Sequence, residues 1–165
     1  MSDTHERDWE IEVRTVWEAA DGLSDEEVVA AIDALADLRP HGDSAAFYEQ
    51  ASARDYAGLE GEAEPLYRRA LDAGLDEERR PRAVIQLAST LRNLGRTDEA
   101  ISLLTRDVEA SPDDGLDDAR AVFLSLALRD AGQHGRALST ALTALAPHLP
   151  VYTRAVLRYA ADVSH

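Results

Sequence analysis

Residues 84–104 read Val84-Ile85-Gln86-Leu87-Ala88-Ser89-Thr90-Leu91-Arg92-Asn93-Leu94-Gly95-Arg96-Thr97-Asp98-Glu99-Ala100-Ile101-Ser102-Leu103-Leu104. Val84, Leu87, Leu91 and Leu94 recur at helical intervals and form one apolar stripe. Gly95 follows where a helix would end, and a left-handed cap costs glycine nothing. Beyond it Ala100, Ile101, Leu103, Leu104 and Val108 make a second stripe. The stretch predicts two helices joined by a tight turn, with Ala88 small enough to let them approach closely. Neither helix buries its stripe alone, so pairs of this kind must stack on neighbours.

The same unit recurs on either side. Gly58, Gly95 and Gly132 stand 37 residues apart, each followed five residues later by an alanine: Ala63, Ala100 and Ala137. Seven residues before each glycine is a small residue: Ala51, Ala88 and Ser125. One repeating helix pair, read three times, accounts for all nine positions.

This pattern resembles the tetratricopeptide repeat (TPR), which places W-x2-L-G-x2-Y on a first helix, then A-x3-F and a proline on a second. The middle unit reads Val84-x2-Leu87-Ala88-x2-Leu91, Gly95, Ala100-x3-Leu104 and Pro112. The first reads Phe47-x2-Gln50-Ala51-x2-Arg54, Gly58 and Ala63-x3-Tyr67; the third reads Ala121-x2-Leu124-Ser125-x2-Leu128, Gly132 and Ala137-x3-Ala141. Three features depart from the family. The period of 37 implies longer turns at 72–78 and 111–117. Ala121 replaces the first-helix aromatic, and Asp107 replaces a small apolar residue and is expected to face solvent. The segment 86–96 is similar to that of small single-domain bacterial members carrying L-[GA]-S-T-L-R. The resemblance implies an all-α fold: a right-handed, TPR-like helical-hairpin solenoid of three repeats with N- and C-terminal flanking helices. It implies no defined biochemical activity.

The flanks suit a capped stack. Ser24-Asp25-Glu26-Glu27 is a capping box opening a helix with the stripe Val28, Ala31, Ile32, Leu35 and Leu38. Before it, Trp9, Val13, Val16, Trp17 and Ala20 form another stripe, expected to fold back on 24–38 across the short Gly22-Leu23 link, with a second copy of the chain as the alternative. Pro150 introduces a closing helix with Tyr152, Val156, Tyr159 and Val163 on one face. Nine helices are expected, organised as an N-terminal amphipathic helix at 1–23 and a solenoid with capping helices at 24–165, a single structural domain overall.

Composition narrows the function. The 165 residues are 45% apolar and 30% charged, which suits a globular protein rather than a disordered one. Cysteine is absent, excluding disulfides, thiol chemistry and thiolate metal sites. All 17 basic residues are arginine against 32 acids, a formal charge of −15. Residues 1–60 hold 16 acids and 4 arginines, net −12; 61–115 are net −4 and 116–165 net +1. Such a chain repels phosphate backbones and anionic lipid, so neither nucleic acid nor membrane is an expected partner. The polar start resembles no signal peptide, and a cytoplasmic location is expected.

Catalytic patterns are missing. His5, His41, His134, His148 and His165 are scattered without ligand spacing, and no G-x-S-x-G, Walker or G-x-G-x-x-G motif occurs. The acids at 113–118 lack the ligand order of a calcium loop and read as a turn with helix-start charges. Arg79, Arg80 and Arg82 read as neutralising Asp76, Glu77 and Glu78, with docking of an acidic segment as the functional alternative. No catalytic residue, metal site or cofactor is expected, and the chain is not expected to be an enzyme.

A protein or peptide partner is expected instead. The family resemblance implies that first helices line a concave groove, and the register assigns to it Tyr48, Glu49, Ser52 and Tyr56 from the first pair. The second pair supplies Arg82, Gln86, Ser89, Arg92 and Asn93, and the third Arg129. Asp55, Ile85, Val122 and Asp130 share these faces; Phe123 and Leu126 divide between groove and core. The lysine and asparagine clamp that some relatives use for a terminal carboxylate is absent. A monomer is expected, with a homodimer through the N-terminal helix or an open repeat face as the alternative.

Overall fold

Nine α-helices and two short 3₁₀ turns, without a strand, make up the described residues of the computed structural model, 2–110 and 114–164. Pro112, Asp113 and His165 lie outside them, as do the side chains of His5 and Val108. The helices are α1 (Ser2–Ala19), α2 (Asp25–Ala36), α3 (Ser44–Tyr56), α4 (Glu60–Ala73), α5 (Arg79–Asn93), α6 (Thr97–Ala110), α7 (Asp117–Asp130), α8 (His134–Leu145) and α9 (Thr153–Asp162). Two compact units are present, residues 1–86 and 87–165. No helix among the described residues is long and apolar enough to cross a membrane.

The 37-residue beat has a common structural cause. Gly58, Gly95 and Gly132 take φ of 69°, 76° and 75°. Each donates its N–H to the carbonyl three residues back, at 3.0–3.1 Å, and the next residue donates five back at 2.8 Å. That is the Schellman arrangement, which satisfies carbonyls a helix end would leave bare. The second helices α4, α6 and α8 then begin at Glu60, Thr97 and His134, again 37 apart.

In the first unit, α1 packs on α2, α2 on α3 and α3 on α4. Trp9 and Val13 join Val28, Ile32 and Ala53 in one core, with Val16, Trp17 and Leu35 against it. The Trp9 indole N–H donates to the Leu35 carbonyl at 3.0 Å, giving a buried donor its partner. Arg39 lies 4.7 Å over the Trp9 ring and pairs with Glu6 and Asp43, each at 2.8 Å. The expected capping box is formed: Glu27 N–H donates to the Ser24 hydroxyl and Ser24 N–H to the Glu27 carboxylate. Arg54 reaches back to Asp33 with both terminal nitrogens, at 2.9 and 2.8 Å, joining α3 to α2. Ala51, Ala53, Ala63, Tyr67 and Ala70 are fully buried, so small side chains set the spacing within this unit.

In the second unit, α6 packs on α7, α7 on α8 and α8 on α9. Here three expectations are corrected. Asp107 does not face solvent: it is 4% exposed and accepts from Arg120 Nε at 2.7 Å. Arg120 is itself fully buried and donates further to Asp114 and Asp117. Leu94 is 41% exposed because α5 stops at Asn93 and the Gly95 turn carries Leu94 outward. In α9 the inner face is Ala160 with Val156 and Val163, while Tyr152 and Tyr159 are exposed. Tyr152 precedes the helix in a left-handed conformation, φ 73°, which takes it off the predicted stripe.

Candidate functional site

Within the first unit, α1, α3 and the first half of α5 enclose a cleft of about 460 Å³. Helical spacing on α3 puts Tyr48, Glu49, Ser52, Asp55 and Tyr56 along it, one turn after another. Residues four apart on α5 bring Arg82 and Gln86 to the same opening, and α1 contributes Trp17.

The polar groups of the cleft are ordered by the layer beneath them. Glu49 is 6% exposed; it accepts from Trp17 Nε1 at 2.9 Å and lies 3.5 Å from Arg79 Nε. Burial raises its pKa above the ordinary carboxylate range, against the opposing effect of those two partners. Arg79 also pairs with Glu10 and, at 2.8 Å, with Asp76. Burial opposes its charge, but hydrogen bonds to Asp76 and Glu10 hold its pKa above the usual arginine value. Arg79 is therefore a structural tie at 17% side-chain exposure, and its pair with Asp76 is the neutralisation that the sequence suggested. Asp76 also accepts from the N–H groups of Glu78 and Arg79, opening α5 with a side-chain cap.

Tyr48 and Tyr67 approach at 6.3 Å between centroids, and the Tyr67 hydroxyl donates to Asp55 at 3.3 Å. Burial raises the pKa of both phenols. Tyr56, 47% exposed, meets Trp17 edge to face at 6.0 Å and 72°. Gln86 Nε2 stands 3.5 Å from the Ser52 hydroxyl. Arg82 is exposed at the rim, 3.1 Å from Glu78.

Six of the ten residues that sequence register assigned to a groove line this cleft: Tyr48, Glu49, Ser52, Tyr56, Arg82 and Gln86. Ile85, given to the same face, is buried. The other four belong to the second unit. Ser89 is half-buried, and Arg92 pairs with Asp130 at 2.8 Å and donates to the Asn93 side chain at 3.1 Å. Arg129 also reaches Asp130, at 3.0 Å. The Arg92 fork is thus engaged within its own unit. Phe123 and Leu126 are half-buried. Trp17 was missed, because on sequence alone an i, i+4 partner of Val13 reads as core.

No three His, Asp or Glu side chains among the described residues are placed to hold a metal ion. His148 pairs with Asp118 at 2.8 Å on the surface.

Comparison with known proteins gives a family and a fold. The family described as Tetratrico peptide repeat matches residues 44–163. No curated protein matches the sequence. A solved structure described as YrrB, a TPR protein with an unusual peptide-binding site, is similar at 17% identity and a TM-score of 0.53. The likeness covers 92% of this chain and 84% of that one.

Proposed function

Because this chain belongs to the tetratricopeptide-repeat family, we propose that it is a non-catalytic binding module that docks a protein or peptide segment in the cleft of its first unit. The observation that carries this is the cleft itself. Three aromatic side chains and five polar ones converge on about 460 Å³, and all but Trp17 stand at positions that the repeat register assigns to a binding face. Pockets of this kind bind by apolar contact and are made specific by a few placed polar groups. YrrB has, by its description, a peptide-binding site; at 17% identity the likeness extends to fold, so the assignment to this chain depends on its own residues.

A catalytic role has no comparable support, since the polar groups of the cleft serve one another as structural partners: Glu49 with Trp17 and Arg79, Asp55 with Tyr67. We assign the segment 86–96 to the small single-domain bacterial members on sequence alone.

Selection of peptides from a displayed random library tests the proposal. Binders enriched on the native chain should be lost on a Tyr56→Ala, Gln86→Ala double variant that keeps its helical circular dichroism. They should survive Arg80→Ala, an exposed change at the start of α5. Binders indifferent to the double variant would move the interaction elsewhere.

A further inference from the structure

We propose that the cleft of the first unit takes the guanidinium of an arginine presented by the bound segment; this rests on the docking role proposed above and gives that partner its chemistry.

The walls are aromatic. Trp17 and Tyr56 stand at 72° to each other, and Tyr48 lines the same opening. Ring faces attract cations, and guanidinium, flat and weakly hydrated, suits them better than ammonium. Two carboxylates, Glu49 and Asp55, line the opening and draw a guanidinium by their charge, with Glu49 itself held by Trp17 and Arg79. Asp55 accepts from the Tyr67 hydroxyl, and a carboxylate accommodates several hydrogen bonds.

The charge balance favours a cation. Glu10, Glu49 and Asp76 all face the single guanidinium of Arg79, so three negative charges meet one positive charge beneath the cleft. Arg82 at the rim is answered by Glu78 on its own helix. Residues 1–60 carry 16 acids against 4 arginines, which draws a basic segment in and repels an acidic one. The chain also builds this arrangement internally: Arg39 lies over Trp9 while pairing with Glu6 and Asp43.

The competing occupant is a carboxylate held by Arg82 and Gln86. Glu49 and Asp55, lining the same opening, oppose it.

The test uses the full chain and three blocked pentapeptides, acetyl-Gly-Ser-X-Ser-Gly-amide, with arginine, citrulline or glutamate at X. The readout is the Trp17 indole N–H resonance, one of two indole signals in the protein, whose donor bonds Glu49. The arginine peptide should shift it saturably. Citrulline, equal in shape but uncharged, should bind weaker by about tenfold or more, and glutamate should not saturate it. Asp55→Asn should weaken the arginine peptide by about tenfold, and Arg82→Gln should tighten it about twofold by removing a like charge. Equal binding of citrulline overturns the proposal, as does indifference to Asp55→Asn. So does the absence of a saturable shift from any of the three peptides. If glutamate saturates the signal and Arg82→Gln abolishes it, the docking role stands and the arginine assignment alone falls. Library binders that ignore the cleft defeat the docking role itself.

Discussion

Arg120 carries a charge into the interior of the second unit, and it is tolerable there because Asp107, Asp114 and Asp117 surround it. A buried ion pair adds little net stability, yet losing one partner strands the other. Arg120→Met should therefore destabilise the fold by about 3–5 kcal/mol, because Asp107 is left buried and charged. Adding Asp107→Leu should recover much of that loss, a non-additivity that urea denaturation of the two single variants and the double variant would measure. If the two changes add, the pair is not coupled as its 2.7 Å contact requires.

The same cluster predicts acid sensitivity. Hydrogen bonds from Arg120 hold the Asp114 pKa down to about 2. Its folded value thus lies below its unfolded value, so its contribution is complete above the ordinary aspartate pKa, near 3.9. It is lost as pH falls from there toward 2. Thermal melts should decline across that window, and Asp114→Asn should remove part of the decline. Sequence could not reveal this cluster. An acid whose partner lies 13 residues away looks the same as a solvated one, and Asp107 was accordingly expected in solvent.

Elements whose conformation is decided locally were legible. The three glycines were found because a left-handed helix end suits glycine regardless of what surrounds it. Small residues before them followed from close helix approach, and both Ala51 and Ala88 are buried at 1% or less. Ala88→Leu should then cost about 1–3 kcal/mol through overpacking; a variant melting with its parent would refute the register. The closing helix was read less well. Its periodicity allowed Tyr152 and Tyr159 to share a stripe with Val156, but α9 begins only at Thr153, and its buried position is Ala160. At the other end α1 folds back on α2, as its stripe and short link suggested. Fully burying a large apolar side chain contributes about 1.5–3 kcal/mol, and Trp9 and Val13 are each 4% exposed. Deleting residues 1–21 should lower the melting temperature on the order of 10 °C without altering oligomeric state in light scattering. An unchanged melt would contradict the packing; conversion of a dimer to a stable monomer would make α1 an assembly surface.

At the scale of the molecule, the all-helical repeat fold was legible because three copies of one pattern reinforce each other. The cleft was legible only in part. Repeat register finds residues on a helix face, so it found the α3 and α5 contributions. It has no means of finding Trp17, which comes from a helix outside the repeat. Nor does it see that Arg92 spends its fork on Asp130 and Asn93. The central claim is that binding occurs where Trp17, Tyr48, Tyr56, Arg82 and Gln86 meet. Backbone amide shifts of the isotope-labelled chain, titrated with a library-selected peptide, test it most directly. The account predicts that the largest shifts fall on α3 at 48–56, on residues 82–86 and on the Trp17 indole. Shifts concentrated instead on α9, around the exposed Tyr152 and Tyr159, would contradict it.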